Sequence, residues 1–257
     1  THQPKYYYFA WANRLITYYL KTSRTNIALY EVQNMLKEAQ KEDDKTGLSR
    51  CYNIMSQIYT IKRFDSMAFE WRLKEIELTE KYNIENYNIS QTYAQIANYY
   101  ISQKKQKEAL RAVEKAISTA NSSTQQISAK LEYVNYYSKF GDFQAAEKIL
   151  KECQIAFEQD KRLESIKKRL YNIECLYYQQ TRQYQKALEA AEMQEKEEHR
   201  LSESILSSSH YRTQGEIYQK MGNMNMAVKY LQMYINTDDS LKIANEQVAS
   251  SEFATLL

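Results

Sequence analysis

The sequence predicts an all-α protein that consists of repeated pairs of helices. Glycine and proline are scarce, because the 257 residues include only 4 Gly and 1 Pro, whereas sheets, turns and long loops normally need more of both. A second observation is a recurring pair of residues, a tyrosine followed nine positions later by an alanine. Around each pair, apolar residues recur at spacings of three and four, which is the period of one buried helix face. Together these features favour helices that are joined by short turns.

The tyrosine–alanine pair marks an internal repeat. Successive tyrosines of the pairs are separated by 37 to 41 residues, and a short polar break follows each tyrosine, as at Gly141-Asp142. Each unit is therefore predicted to be a helix, a tight turn and a second helix. The alanine is expected where two backbones approach closely, and the tyrosine is expected to fill the space beside the turn. The six pairs are Tyr19 and Ala28, Tyr59 and Ala68, Tyr100 and Ala109, Tyr137 and Ala146, Tyr178 and Ala187, and Tyr218 and Ala227.

These units resemble tetratricopeptide repeats over roughly residues 5–236. The best match is GEIYQKMGNMNMAVKYLQMY at 215–234, and residues 134–150 match nearly as well. The family's tryptophan near the start of the first helix is missing from every unit, and the period exceeds the usual one of about 34 residues. In the best match, the small residue, the first aromatic, the turn glycine, the alanine and the second aromatic are Gly215, Tyr218, Gly222, Ala227 and Tyr230.

The resemblance implies a tetratricopeptide solenoid, which is a right-handed α–α superhelix with a concave face. Because stacked repeats bury a continuous core, we expect one domain over residues 1–257. We expect six helix-turn-helix units followed by a C-terminal capping helix. The units are expected at about 5–43, 45–84, 86–121, 123–160, 162–200 and 202–237, and the C-terminal helix at 239–257.

No cluster of residues in the sequence indicates catalysis, a metal or a cofactor. Glu195 and His199 are four residues apart, but they lie in a charge-rich run that is typical of a solvated helix face. The sparse set of Cys51, Cys153 and Cys175 predicts small buried apolar side chains and no disulfide framework. The sequence has no G-x-G-x-x-G, P-loop or H-E-x-x-H motif. We therefore predict a chain that is not an enzyme, with no catalytic, cofactor-binding or metal-binding residues.

The charge pattern argues against nucleic acid and membrane as direct partners of this region. The 35 Lys and Arg and the 32 Asp and Glu residues are interspersed, so a net charge of +3 produces no basic stripe. No run of 18 apolar residues exists, so no membrane span is expected within the chain. A protein or peptide is the expected partner.

Ligand contacts are expected on the concave face, because in tetratricopeptide proteins the first helix of each unit lines the groove. The corresponding positions here are rich in amides, which both donate and accept hydrogen bonds and suit the backbone of an extended peptide. Any solvated groove is polar, however, and both interpretations stay open at this point. The predicted contacts are Asn13, Asn53, Asn172 and Arg212 at one level, and Thr17, Gln57, Asn98, Asn135 and Glu216 one turn further.

The C-terminal stretch indicates a role in signalling. Residues 235–239 look like a capping stretch, and the near end of the helix that follows can seal the last repeat. The far end has nothing left in this sequence to cover. The stretch also resembles the junction of bacterial membrane-bound sensor histidine kinases with tetratricopeptide sensor regions, in which a helix containing DSL leads toward a coiled coil and a membrane span.

That second resemblance implies the periplasmic sensor region of an inner-membrane histidine kinase of a two-component system. The ligand would bind on the concave face, the signal would leave through the C-terminal helix, and that helix could also form a homodimer. Two alternatives stay open. One is a cytoplasmic transcriptional regulator of the peptide-pheromone-receptor type, and the other is a free-standing scaffold protein.

Overall fold

The computed structural model describes residues 4–20, 22, 24–201 and 208–256, and this part of the chain consists of helices and turns without strands. A π-helical segment, Leu15–Leu20, follows the first helix, and a 3₁₀ segment, Lys161–Ile166, precedes the ninth. The described α-helices are α1 Pro4–Arg14, α2 Thr25–Lys41, α3 Lys45–Ile61, α4 Asp65–Tyr82, α5 Ile89–Ser102, α6 Gln106–Ser118, α7 Ser123–Phe140, α8 Phe143–Gln159, α9 Lys167–Gln180, α10 Tyr184–Leu201, α11 Ser209–Lys220 and α12 Met224–Leu256.

Consecutive helices form pairs, which confirms the predicted fold class. The helices α3 and α4, α7 and α8, and α9 and α10 pack against each other within their pairs. None of the described helices combines the length and the apolar composition that a membrane crossing requires.

The turn inside a pair has one geometry that recurs along the chain. The residue five positions after the tyrosine donates its backbone N–H to the tyrosine carbonyl, as from Phe64 to Tyr59 at 2.9 Å and from Asn223 to Tyr218 at 3.0 Å. The residue before this donor has a positive φ, which ends the first helix and reverses the chain. These left-handed residues are Arg63, Lys104, Gly141, Arg182 and Gly222.

The alanine of each pair lies enclosed at the start of the second helix, as predicted. Its N–H bonds to the carbonyl of the residue that closes the turn, as from Ala146 to Asp142 at 3.1 Å. The six tyrosines are half-buried beside the turns. The enclosed alanines are Ala28, Ala68, Ala109, Ala146, Ala187 and Ala227.

The three cysteines are buried and free, which confirms their predicted role as small apolar side chains. Burial raises the pKa of the Cys51 thiol to about 12 and that of Cys153 to about 11. Each packs in a different apolar cluster, Cys51 among residues of the first two pairs and Cys175 among residues of α9, α10 and α11.

The C-terminal helix corrects two expectations. The helix α12 runs unbroken from Met224 to Leu256, so no turn at 237–239 separates the last repeat from a closing helix. The expectation that its far end has nothing to cover is also wrong. The carboxylate of Glu252 is buried and accepts hydrogen bonds from Asn26 Nδ2 at 2.8 Å and from the backbone N–H of Ile27 at 3.2 Å. It thereby satisfies a free N–H at the start of α2, where a negative charge is favourable.

By its internal contacts the chain divides into two compact units. The first unit comprises residues 1–99 together with 242–257, and the second unit comprises residues 100–241. The contact between Glu252 and α2 lies within the first unit. The single domain that the sequence predicts stays a prediction.

Candidate functional site

A groove of about 750 Å³ lies in the first unit. One wall is a face of α3 that carries Thr46, Arg50, Asn53 and Gln57, whose spacing of four, three and four places them on one side of the helix. The opposite wall is the loop 83–88, with the sequence NIENYN, which connects α4 to α5. The remaining lining residues are Phe9, Ala12, Lys45, Ser49, Ile54, Glu75 and Tyr82.

Amide side chains form a hydrogen-bonded network at the base of the groove. Gln57 Nε2 donates to Asn53 Oδ1 at 2.7 Å, and Asn53 Nδ2 lies 3.2 Å from both carboxylate oxygens of Glu75. From the opposite wall, Asn86 Nδ2 donates to Glu75 Oε1 at 3.0 Å. The buried carboxylate therefore fixes the orientation of an amide on each wall.

Other amides of the groove keep their hydrogen-bonding capacity. Among the described residues, the carbonyl oxygen of Gln57 and the side chains of Asn83 and Asn88 have no hydrogen-bond partner. An amide can donate and accept at the same time, so these groups can pair with the N–H and C=O groups of an extended chain.

A buried pair of charges lies behind the network. Glu75 and Arg72 are 2% and 8% exposed. Burial raises the pKa of the Glu75 carboxyl, while the hydrogen bonds from Asn53 and Asn86 and the charge of Arg72 act to lower it. Burial lowers the pKa of Arg72, whose guanidinium donates to Gln95 Oε1 at 2.8 Å.

Arg50 lines the groove without an acidic partner. Its Nε is buried and has no hydrogen-bond partner, and no carboxylate of the described residues forms an ion pair with it. Its guanidinium lies 5.0 Å from the centroid of the Phe9 ring, and burial lowers its pKa. Lys45, in contrast, forms an ion pair with Asp43. The groove thus contains a cation whose charge the described residues leave uncompensated.

Of the nine predicted contact residues, Asn53 and Gln57 line this groove. The side chain of Thr17 lies outside the described residues. That any of the nine contacts a ligand stays a prediction. The residues that do not line the groove are Asn13 on α1 and Asn98 on α5 in the first unit, and Asn135 on α7, Asn172 on α9, and Arg212 and Glu216 on α11 in the second.

Arg212 and Glu216 are bonded to each other, with Arg212 Nε donating to Glu216 Oε1 at 2.8 Å. Glu195, expected on a solvated face, is 25% exposed, and its Oε1 lies 3.1 Å from Nε2 of the buried His210. The side chain of His199 lies outside the described residues. Within the described part, no three His, Cys, Asp or Glu side chains are grouped so that they could hold a metal ion.

The sequence reasoning missed Arg50, Glu75 and the loop 83–88. Two signals could have found them. Arg50 lies one turn before Asn53 on the same face of α3, so extending the predicted row would have included it. Arg72 stands four residues after Ala68, where the other units carry an apolar residue, and a charge at such a position indicates a buried polar network.

Comparison with known proteins identifies the fold. No family model and no curated protein matches the chain. Several solved structures do, at low sequence identity. A tetratricopeptide repeat protein from Parabacteroides merdae superposes with a TM-score of 0.61 at 15% identity, covering 96% of this chain and 84% of the other. These likenesses confirm the resemblance to tetratricopeptide repeats at the level of the fold.

Two further structures match over most of the chain. NprR in complex with its cognate peptide NprX has a TM-score of 0.69 at 13% identity, covering 97% of this chain and 72% of the other. A Rap protein complexed with Competence and Sporulation Factor has a TM-score of 0.63 at 14% identity, covering 91% and 76%.

Proposed function

We propose that this chain is a non-catalytic module that binds a protein or a peptide, and that the groove of the first unit holds an extended segment of that partner. The observation that carries this proposal is that the carbonyl oxygen of Gln57 and the amides of Asn83 and Asn88 line the groove without a partner among the described residues, beside an amide network that Glu75 holds in place. The structures of NprR with its peptide NprX and of Rap with Competence and Sporulation Factor support it, because the same fold accommodates such a partner there.

Selection from a random heptapeptide mixture, read by mass spectrometry, tests this proposal. We expect the parent protein to retain a subset of peptides and Asn53→Ala/Gln57→Ala to lose most of them. The matched control Gln219→Ala/Asn225→Ala removes two exposed amides of the second unit and should retain the same subset as the parent. Equal retention by the groove variant, or no retention by the parent, would contradict the proposal.

We further propose that the module is the periplasmic sensor region of a membrane-anchored histidine kinase, with α12 as its output. The contact of Glu252 with α2 supports this, because the end of α12 and the groove belong to the same compact unit. A ligand that prefers one arrangement of this unit would shift its population. To shift the ratio of two arrangements of this unit from 1:99 to 99:1, the ligand must bind one of them more tightly by about 5.5 kcal/mol.

A cytoplasmic peptide-responsive regulator is the second candidate, and the likeness to NprR and Rap favours it. The coding sequence on either side of residues 1–257 separates the two. The sensor requires a membrane-spanning helix and a kinase domain, whereas the regulator requires a DNA-binding or partner-inhibiting domain and no export signal. A kinase domain without any membrane span would overturn the periplasmic assignment.

A further inference from the structure

We propose that Arg50 anchors a carboxylate of the peptide that the groove binds, an inference that rests on the proposed function. Arg50 lines the groove with a guanidinium whose charge no carboxylate of the described residues neutralises, and its buried Nε has no hydrogen-bond partner among them. A buried donor without an acceptor costs free energy, and a charged one costs more. A ligand carboxylate that pairs with the guanidinium compensates its charge, so the affinity of the ligand should depend strongly on that contact.

The chemistry of the guanidinium selects the ligand group. A guanidinium has five N–H donors in a planar fork, and a carboxylate can accept two of them in parallel. The contact with the Phe9 ring is a cation–π interaction, which leaves these donors unused. A carboxylate therefore matches both the charge and the donors of Arg50.

The other charges of the groove favour a single negative charge on the ligand. Lys45 is already paired with Asp43, and the carboxylates of Glu75 and Glu85 line the same groove. A phosphate would bring two negative charges close to these acids, whereas Arg50 supplies only one positive charge to neutralise them. A carboxylate brings one charge, and Arg50 neutralises it.

The spacing along α3 sets the length of the peptide segment. Arg50 and Gln57 are seven residues apart on one face, which is about 10.5 Å along the helix axis. An extended chain rises about 3.3 Å per residue, so the backbone group that faces Gln57 lies about three residue steps from the residue with the anchored carboxylate. A capped pentapeptide is therefore long enough to occupy both positions.

Three synthetic peptides test the proposal by titration of the ¹⁵N-labelled chain, followed by NMR of the groove amides and of the Arg50 Nε–H. They are acetyl-Ala-Ala-Glu-Ala-Ala-amide, its Gln counterpart, and acetyl-pentaalanine with a free C-terminal carboxylate. Because charge-assisted hydrogen bonds are about twice as strong as neutral ones, we expect a carboxylate peptide to bind the parent about tenfold more tightly than the Gln peptide. Preference for the Glu side chain or for the free C-terminus identifies the source of the carboxylate.

Arg50→Gln should remove this preference, and the control Arg111→Gln, an exposed arginine of α6, should keep it. The buried Nε of Arg50 has no hydrogen-bond partner among the described residues, so replacement of this side chain should leave the far-UV circular dichroism unchanged. Equal affinity of the parent for the Glu, Gln and free-terminus peptides at the groove would overturn the anchor and leave the proposed function standing. The absence of any shift in the groove with all three peptides would overturn both.

Discussion

The second and fourth helix pairs, α3–α4 and α7–α8, have the same backbone features but different side chains between their helices. Both contain the bond to the tyrosine carbonyl, the left-handed turn residue and the enclosed alanine, which together we call the frame of a pair. They differ at three equivalent positions, six residues before the tyrosine and four and seven residues after the alanine. These positions hold Asn53, Arg72 and Glu75 in the second pair, and Leu131, Leu150 and Cys153 in the fourth.

In the fourth pair these three side chains belong to one apolar cluster. In the second pair, Asn53 and Glu75 belong to the polar network of the groove, and Arg72 is the buried cation behind it. Buried charges are costly and are often replaceable by apolar groups without loss of stability. The frame itself therefore does not require the network. The network holds the amides of Asn53 and Asn86 in place at the groove, so under the proposed function binding accounts for it better than folding does.

The largest effect is expected from breaking the network at one point. Glu75→Ala leaves Arg72 buried without its nearby negative charge and the amides of Asn53 and Asn86 without their acceptor, so we expect a loss of about 3–5 kcal/mol in the free energy of unfolding. The equivalent change in the fourth pair, Cys153→Ala, removes one sulfur atom and should cost about 1 kcal/mol. Urea unfolding followed by circular dichroism measures both. A smaller loss for Glu75→Ala than for Cys153→Ala would contradict the comparison.

The next prediction converts the second pair to the chemistry of the fourth. The triple change Asn53→Leu, Arg72→Leu and Glu75→Cys removes all three polar side chains together, so neither of the two buried charges stays behind. We expect a free energy of unfolding that equals that of the parent or exceeds it by about 1–4 kcal/mol. Retention of groove-binding peptides should fall at the same time. If the triple variant were as unstable as Glu75→Ala, the network would be part of the frame.

Because the two pairs share this frame, replacement of equivalent alanines by leucine should lower the free energy of unfolding by the same amount. Ala68→Leu and Ala146→Leu each insert a larger side chain where the two helices of a pair approach closely, and each should lose about 1–3 kcal/mol. The exposed Ala10 on α1 provides the control, since Ala10→Leu should change stability by less than about 0.5 kcal/mol. If either buried variant melted at the same temperature as the parent, the close approach of the two helices would not lie at that alanine.

The repeat was predictable from sequence because its determinants are local. A tyrosine, a turn and an alanine at fixed spacing specify the bond from Phe64 to Tyr59 and its counterparts without any knowledge of distant contacts. The C-terminal helix was not predictable in the same way. The contact of Glu252 with Asn26 joins residues 226 positions apart, and nothing near Glu252 in the sequence shows that its carboxylate is buried.

The candidate site was predictable in part. Register placed Asn53 and Gln57 on the face of α3 that lines the groove, because helical spacing fixes which residues share a face. It did not find Glu75 or Asn86, since these come from the second helix of the pair and from a loop between pairs. At the level of Asn53 the predicted row omits the fourth pair, where Leu131 occupies the equivalent position.

The smallest effect tests the turn that both pairs share. Gly141 has a φ of 90°, and an added Cβ there would meet no atom within 4 Å, so the cost of Gly141→Ala comes from the backbone conformation and should be about 1–2 kcal/mol. At the equivalent position of the second pair, Arg63 has a φ of 61° and already bears that strain. Arg63→Gly should therefore relieve up to about 1 kcal/mol of backbone strain, and because an interaction of Arg63 is lost at the same time, we expect a net change smaller than the loss in Gly141→Ala. Thermal unfolding of the two variants beside the parent measures both. A loss in both variants would mean that Arg63 stabilises its turn through its side chain, so the two pairs would share the path of the backbone without sharing the way it is stabilised.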